Sequence, residues 1–186
     1  MSELAKNTGI ALILLLVSVG FGAWTVMEDP AVGEQILTLL RDSVMGEALD
    51  SSSALLAVKL FLNNLQACLL MFLGGASFGL LTVFIISTNG FIIGSVLELV
   101  RQEHSVLYVA AAIVPHGIFE IPAFLISGAL GLMLAKALWM EWENGEDASA
   151  RAYAMGRIFM LAVVPLVAVA AGVEAFITPE ILRFII

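Results

Sequence analysis

The chain has 186 residues, of which 61% are hydrophobic and only 13% are charged, and its formal net charge is −8. This composition excludes a soluble globular domain, because a domain of this size could not bury so much apolar surface. The acidity argues against nucleic-acid binding, and a lone cysteine, Cys68, excludes an internal disulfide and a thiolate metal site. We expect an all-α membrane protein with a single domain.

Five apolar stretches are long enough to cross a bilayer as helices. A helix rises about 1.5 Å per residue, so roughly 20 apolar residues span the hydrocarbon core. The glycine pair at residues 74–75 divides one long apolar region in two, and Asn89-Gly90 is a second candidate break in that region. We read the first stretch as a retained helix and not as a cleaved signal peptide. The predicted crossings lie near residues 9–27, 54–73, 76–99, 117–139 and 152–176.

Two further segments are predicted between these crossings. Asp29 and Pro30 suit the cap and the first position of a helix, and we expect residues 30–50 to form an amphipathic helix on the membrane surface. Pro115 removes a backbone donor and disfavours helix in the preceding residue. Residues 106–114 are therefore predicted to form a re-entrant arm that ends at Pro115, with a kink in one tilted helix as the alternative.

Basic residues favour an N-terminus in the cytoplasm, since cytoplasmic segments carry the excess of lysine and arginine. We predict a multi-pass protein of the cell membrane in this orientation. The basic residues assigned to the cytoplasmic side are Lys6, Lys136, Arg151 and Arg157, and those assigned to the other side are Arg41, Arg101 and Arg183.

Polar side chains at membrane depth are energetically unfavourable, so we expect each of them to have a hydrogen-bond partner or a function. His116 and Glu120 are four residues apart and share a helix face if the helix resumes after the break at Pro115 and Gly117. The predicted intramembrane polar cluster is Asn63, Asn64, Asn89, His116 and Glu120, and further acidic residues at this depth are Glu98 and Glu174.

Three interpretations of this cluster are open. Hydrogen bonds of His116 and Glu120 to each other and to Asn64 could pin a broken helix. Alternatively, the histidine and the glutamate form a proton or ion pathway, because both can change protonation. A metal site is the third interpretation, but two ligands are too few for one.

Small residues spaced three or four apart predict close approach of helices. We expect this packing within the bundle, with dimerisation as the alternative. The glycines concerned are Gly75, Gly79, Gly90, Gly94, Gly128 and Gly131.

The sequence around the polar cluster resembles the stage II sporulation protein M family. The run Pro-His-Gly-Ile-Phe-Glu at residues 115–120 carries the resemblance, which extends over about residues 63–134. The family's signature residues correspond here to Asn64, Asn89, His116 and Glu120. Supporting matches in the same order are Asn63-Asn64, Gly79, Asn89-Gly90-Phe91, Gly94, Ser127-Gly128-Ala129 and Gly131-Leu132.

The resemblance implies a membrane scaffold, because the sporulation member of that family holds two cell-wall-degrading partners. We therefore expect a non-enzymatic scaffold or anchor without a cofactor or metal, and no phosphate-binding loop, zinc-protease motif or nucleophile elbow occurs in the sequence. The alternative is a small oligomeric ion or proton channel or transporter that uses the Asn/His/Glu cluster. The expected partners are the lipid bilayer, membrane or envelope proteins and further copies of the chain, but not nucleic acid.

Overall fold

The structure is a computed structural model that describes residues 2–40 and 52–184, and every element in these ranges is helical. A 3₁₀ turn, Gly74–Ser77, joins the third and fourth helices, and two π-helical turns, Phe159–Val163 and Val173–Ile177, interrupt the last one. The helices are α1 (Glu3–Glu28), α2 (Pro30–Leu40), α3 (Ser53–Leu73), α4 (Leu80–Glu103), α5 (Val106–Asn144), α6 (Ser149–Ile158), α7 (Val164–Gly172) and α8 (Thr178–Arg183).

Five helical segments of the described chain are long and apolar enough to cross a membrane. This confirms the predicted all-α class and the five crossings, and the predicted division at residues 74–75 coincides with the 3₁₀ turn. The fourth helix of the bundle, α4, continues without interruption through Asn89-Gly90, so the second candidate break is wrong. The five segments are Glu3–Glu28, Ser53–Ser77, Leu80–Glu103, Val106–Asn144 and Ser149–Arg183.

The surface helix predicted for residues 30–50 is described as far as Leu40. The backbone N–H of Ala31 donates to the Asp29 carboxylate at 3.1 Å, which is the predicted cap at the start of α2. The rest of the predicted segment, residues 41–51, lies outside the described residues, as does Arg41.

The longest helix, α5, differs from the prediction. It runs as one helix from Val106 to Asn144 with Pro115 and Pro122 inside it, so residues 106–114 are its first turns and not a separate re-entrant arm. The predicted break at Pro115 and Gly117 is therefore wrong. A proline removes one helical hydrogen bond, and neighbouring helices in a membrane bundle make that loss tolerable.

The backbones of α1 and α4 are in direct contact along their length. A Cβ atom built on Gly94 would lie 2.0 Å from the carbonyl oxygen of Val19, and one built on Gly22 would lie 2.1 Å from that of Phe91. The Ser95 hydroxyl reinforces this contact by donating to the carbonyl oxygens of Phe91 at 2.8 Å and Gly22 at 3.3 Å. Only glycine permits so close an approach.

A second glycine contact joins α5 to the hairpin of α3 and α4. A Cβ atom built on Gly131 would lie 2.3 Å from the Met71 carbonyl oxygen, and one built on Gly75 would lie 2.3 Å from the Gly131 carbonyl oxygen. The Thr82 hydroxyl also donates to the Met71 carbonyl at 2.8 Å. Gly128 packs in the same way against the Ile86 side chain.

Gly79 has a different role, since it lies in the turn between α3 and α4 with φ +86°. A side chain is strained in this left-handed conformation.

Charged residues gather at the two ends of the bundle. Lys136 pairs with Glu3 at 2.7 Å, and Lys6 and Arg151 also act electrostatically on Glu3, so these three basic residues share the end that holds the N-terminus. Arg101 pairs with Glu98 at 2.7 Å in the last turns of α4, at the opposite end.

Candidate functional site

Three ionisable side chains from two different crossings converge on one site. His116 and Glu120 project from α5, and Glu174 projects from the last crossing. Each offers a ligand atom, and these atoms all lie within 4.8 Å of one another. We call these three residues the His/Glu/Glu cluster.

The two residues on α5 do not hydrogen-bond to each other. Nε2 of His116 lies 3.9 Å from Oε2 of Glu120, which is beyond hydrogen-bond distance. The continuous helix places both side chains on one face, as a spacing of four residues requires. They therefore face the same small volume while leaving room between their polar atoms.

Glu174 reaches the cluster from a π-helical turn, Val173–Ile177. The Thr178 hydroxyl donates to the carbonyl oxygen of Val173 at 3.3 Å, and Pro179 follows without a backbone donor. Single π-helical turns inside α-helices occur frequently at functional sites, because the extra residue re-aims the neighbouring side chains.

One buried polar atom of the cluster lacks a hydrogen-bond partner within the described part of the chain. Nδ1 of His116 is buried and has no hydrogen-bond partner there. The side chains of His116 and Glu120 are only 15% and 19% exposed. An unpaired polar group at membrane depth destabilises the folded protein by several kcal/mol. A proton, a cation or a water molecule bound at this site would remove that cost.

Of the two predicted asparagines on α3, Asn64 is buried and Asn63 is exposed. Asn64 and Cys68 are buried one turn apart on α3, and the buried Ser127 hydroxyl on α5 donates to the carbonyl oxygen of Ala123 at 2.8 Å. Asn63 donates to the Asn64 side-chain oxygen at 3.4 Å. The hydrogen bonds predicted among His116, Glu120 and Asn64 are thus not those that the described residues form.

The hydrogen bond that Asn89 donates stays within its own helix, α4. Its side-chain amide donates to the Ile85 carbonyl oxygen at 2.9 Å, and it lines a small cavity together with Ala11 and Phe124. Gly117 does not lie at a close contact between helices. A Cβ atom added to it would make only ordinary van der Waals contacts, at 3.6 Å or more.

Glu174 is the member of the cluster that the sequence does not predict, although it is an acidic residue at membrane depth. It is 54 residues from Glu120 along the chain, and the π-helical turn shifts it away from the face that α-helical periodicity would give. Its position in a strongly apolar crossing was the available signal.

Comparison with known proteins gives relatives over most of the chain. A family model described as "Stage II sporulation protein M" matches residues 11–179. An uncharacterized protein of Methanocaldococcus jannaschii is 30% identical over 127 residues, covering 67% of this chain and 71% of the relative. A second one from this organism is 34% identical over 76 residues, covering 41% of this chain and 32% of the relative. No solved structure matches the chain significantly.

Proposed function

The chain belongs to the stage II sporulation protein M family, and from this premise we propose that it is a non-enzymatic membrane protein that moves protons or cations through the His/Glu/Glu cluster. The observation that carries the proposal is the convergence of His116, Glu120 and Glu174 within 4.8 Å inside two crossings. Ionisable groups at this depth are expensive and usually mark an ion or proton path.

The chemistry of the three groups suits this task. Imidazole and carboxylate groups both gain and lose protons, and both bind cations. Two carboxylates that are close together and away from bulk water can both remain charged only with a cation between them. Without a cation, one of them takes up a proton. A site that needs such a ligand and gives it up on one side of the membrane is a site for transport.

Access to the cluster supports the same role. His116 and Glu120 keep 15% and 19% of their side-chain surface exposed, so the site is not sealed inside the chain. A path that opens at the surface of one subunit fits a homo-oligomer in which a second copy supplies the other wall. We therefore propose an oligomeric channel or transporter.

We also propose that the protein resides in the cell membrane with its N-terminus in the cytoplasm. Lys6, Lys136 and Arg151 surround Glu3 at the N-terminal end of the bundle. Positive charge on one side of the crossings favours that side as the cytoplasmic one. Modification of single cysteines introduced near Lys6 and Arg101, by a reagent that does not cross the membrane, tests this orientation.

Flux through reconstituted protein tests the proposed function. Proteoliposomes loaded with pyranine report proton entry, and proteoliposomes loaded with calcein report entry of Mn²⁺. We expect the wild-type protein to conduct protons or cations and Glu120→Gln to abolish this flux, because the amide cannot exchange a proton or carry the negative charge. The matched control is Glu180→Gln, whose carboxylate is exposed and pairs with Arg183 outside the cluster.

Two outcomes would contradict the transport proposal. One is a folded, monodisperse wild-type protein that conducts neither protons nor cations above the level of empty liposomes. The other is undiminished flux in Glu120→Gln.

A membrane scaffold is the second candidate function, and the partial exposure of His116 and Glu120 at membrane depth also favours it. Polar atoms on the outer face of a bundle can be covered by a partner's helix, which would then dock through them. Affinity purification in mild detergent, followed by mass spectrometry, tests this candidate. A stoichiometric protein partner that is recovered with the wild type and lost with folded His116→Ala would support the scaffold, and recovery of the chain alone would count against it.

A further inference from the structure

We propose that the His/Glu/Glu cluster binds a divalent transition-metal cation such as Mn²⁺, Fe²⁺ or Zn²⁺. This inference deepens the proposed function, on which it rests for its biological meaning, by naming the class of cation. Its physical basis is the set of three ligand atoms that His116, Glu120 and Glu174 bring within 4.8 Å of one another.

Geometry brings the three groups close to a coordinating arrangement. Zinc lies about 2.0–2.2 Å from imidazole nitrogen and carboxylate oxygen, so ligand atoms of one tetrahedral site are about 3.3 Å apart. Nε2 of His116 and Oε2 of Glu120 are 3.9 Å apart. The separations between ligand atoms, which are at most 4.8 Å, would have to shorten by about 1.5 Å or less to reach this value, and rotation of the side chains can supply such a shift.

Charge balance favours a divalent ion over a monovalent one. Glu120 and Glu174 carry two negative charges when both are ionised, and a neutral imidazole adds none. A divalent cation cancels this charge completely, whereas Na⁺ or K⁺ would leave one net negative charge in a medium of low dielectric constant. Among the ion pairs of the described residues, Arg101 is engaged with Glu98 and Arg183 with Glu180.

The ligand types select transition metals within the divalent class. Calcium and magnesium prefer sites made of oxygen atoms alone, and magnesium gives up its water reluctantly. Imidazole together with carboxylate suits zinc, iron and manganese, while soft thiolate sites suit copper(I). Nε2 of His116, which lies 3.9 Å from Oε2 of Glu120, is the imidazole nitrogen that faces this carboxylate.

Three protein ligands would leave part of the ion's coordination sphere open. Structural zinc sites are closed by four protein ligands, whereas sites with three leave positions open to water or another ligand.

Metal binding by the purified full chain tests the inference separately from flux. The protein is purified with an affinity tag that contains no histidine, and Mn²⁺ binding is measured by equilibrium dialysis with electron paramagnetic resonance detection of free Mn²⁺. We expect one ion per chain, displaced by Zn²⁺ but not by equimolar Mg²⁺ or Ca²⁺. Glu174→Gln should weaken binding on the order of 100-fold, since removing even a supporting group around a metal costs 10–100-fold.

Controls separate loss of binding from loss of folding. Glu180→Gln lies six residues from Glu174 in the same crossing, pairs with Arg183 outside the cluster, and should bind Mn²⁺ as the wild type does. A monodisperse profile in size-exclusion chromatography shows that each variant is folded. His116→Gln provides a second variant, which keeps a polar side chain and should also weaken binding.

The outcomes distinguish this inference from the proposed function. Wild-type protein that binds no Mn²⁺ or Zn²⁺, or binding that survives in both folded cluster variants, overturns the metal site. Proton flux without metal binding would leave the transport proposal standing and remove this one. Metal binding without any flux would support the site and contradict transport.

Discussion

Replacing Gly94 with alanine should force α1 and α4 apart. The added methyl carbon would lie 2.0 Å from the Val19 carbonyl oxygen and 2.9 Å from its Cα atom. Carbon–oxygen contacts between packed helices are normally about 3.3–3.6 Å. The two backbones must therefore separate by about 1.3 Å at this point, and no side-chain rotation can relieve the clash.

The expected cost follows from two opposing effects. Overpacking a well-packed contact costs about 1–3 kcal/mol, and a clash between two backbones belongs at the upper end of that range. Alanine in place of glycine inside a helix raises the free energy of unfolding by up to about 1 kcal/mol, because alanine has the higher helix propensity. Gly94→Ala should thus lower the free energy of unfolding by about 2 kcal/mol.

Gly20→Ala is the matched control, since Gly20 lies in α1, one of the two helices in this contact, and an added Cβ atom there meets nothing within 4 Å. We expect this variant to be unchanged or more stable by up to about 1 kcal/mol. Reversible unfolding of both variants in mixed detergent and dodecyl sulfate micelles measures the difference. Equal stability of Gly94→Ala and Gly20→Ala would refute the close packing of α1 against α4.

Two further predictions concern single contacts of the bundle. Thr82→Val removes the buried hydroxyl that donates to the Met71 carbonyl oxygen and should cost about 0.6–1.7 kcal/mol in the same unfolding assay. Thr82→Ser keeps the donor and should cost less; the opposite order would contradict the hydrogen bond. Lys136→Ala breaks the ion pair with Glu3, whose two side chains are 58% and 45% exposed, so the loss should stay below about 1 kcal/mol and shrink with added salt. A larger, salt-independent loss would be inconsistent with an exposed pair.

The number of crossings was predictable from the sequence because it depends on the length of apolar stretches alone. The course of α5 was not, since the effect of Pro115 depends on what surrounds it. In water or at a free end, the lost hydrogen bond and the constraint on the preceding residue would favour a break. Within the bundle, the packing of α5 against α1, α3 and α7 holds one helix through the proline.

Part of the candidate site was predictable for a similar reason. His116 and Glu120 lie four residues apart, and local helix geometry alone brings them to one face. The position of Glu174 depends on the packing of two crossings that are distant in the sequence and on a π-helical turn. Neither the packing of distant crossings nor a π-helical turn produces a periodic pattern in the sequence. The hydrogen bond of Asn89 was equally out of reach of the sequence, because a polar residue at membrane depth can bond to its own helix, as Asn89 does to the Ile85 carbonyl oxygen, or to a neighbouring one.

The most direct test of the central claim is the flux through Glu174→Gln in proteoliposomes, compared with Glu120→Gln and with the double variant. If the three side chains form one site, each single change should abolish flux, and the double variant should resemble either one. Undiminished flux in folded Glu174→Gln, together with loss of flux in Glu120→Gln, would show that Glu174 does not belong to the site and would contradict the proposed mechanism.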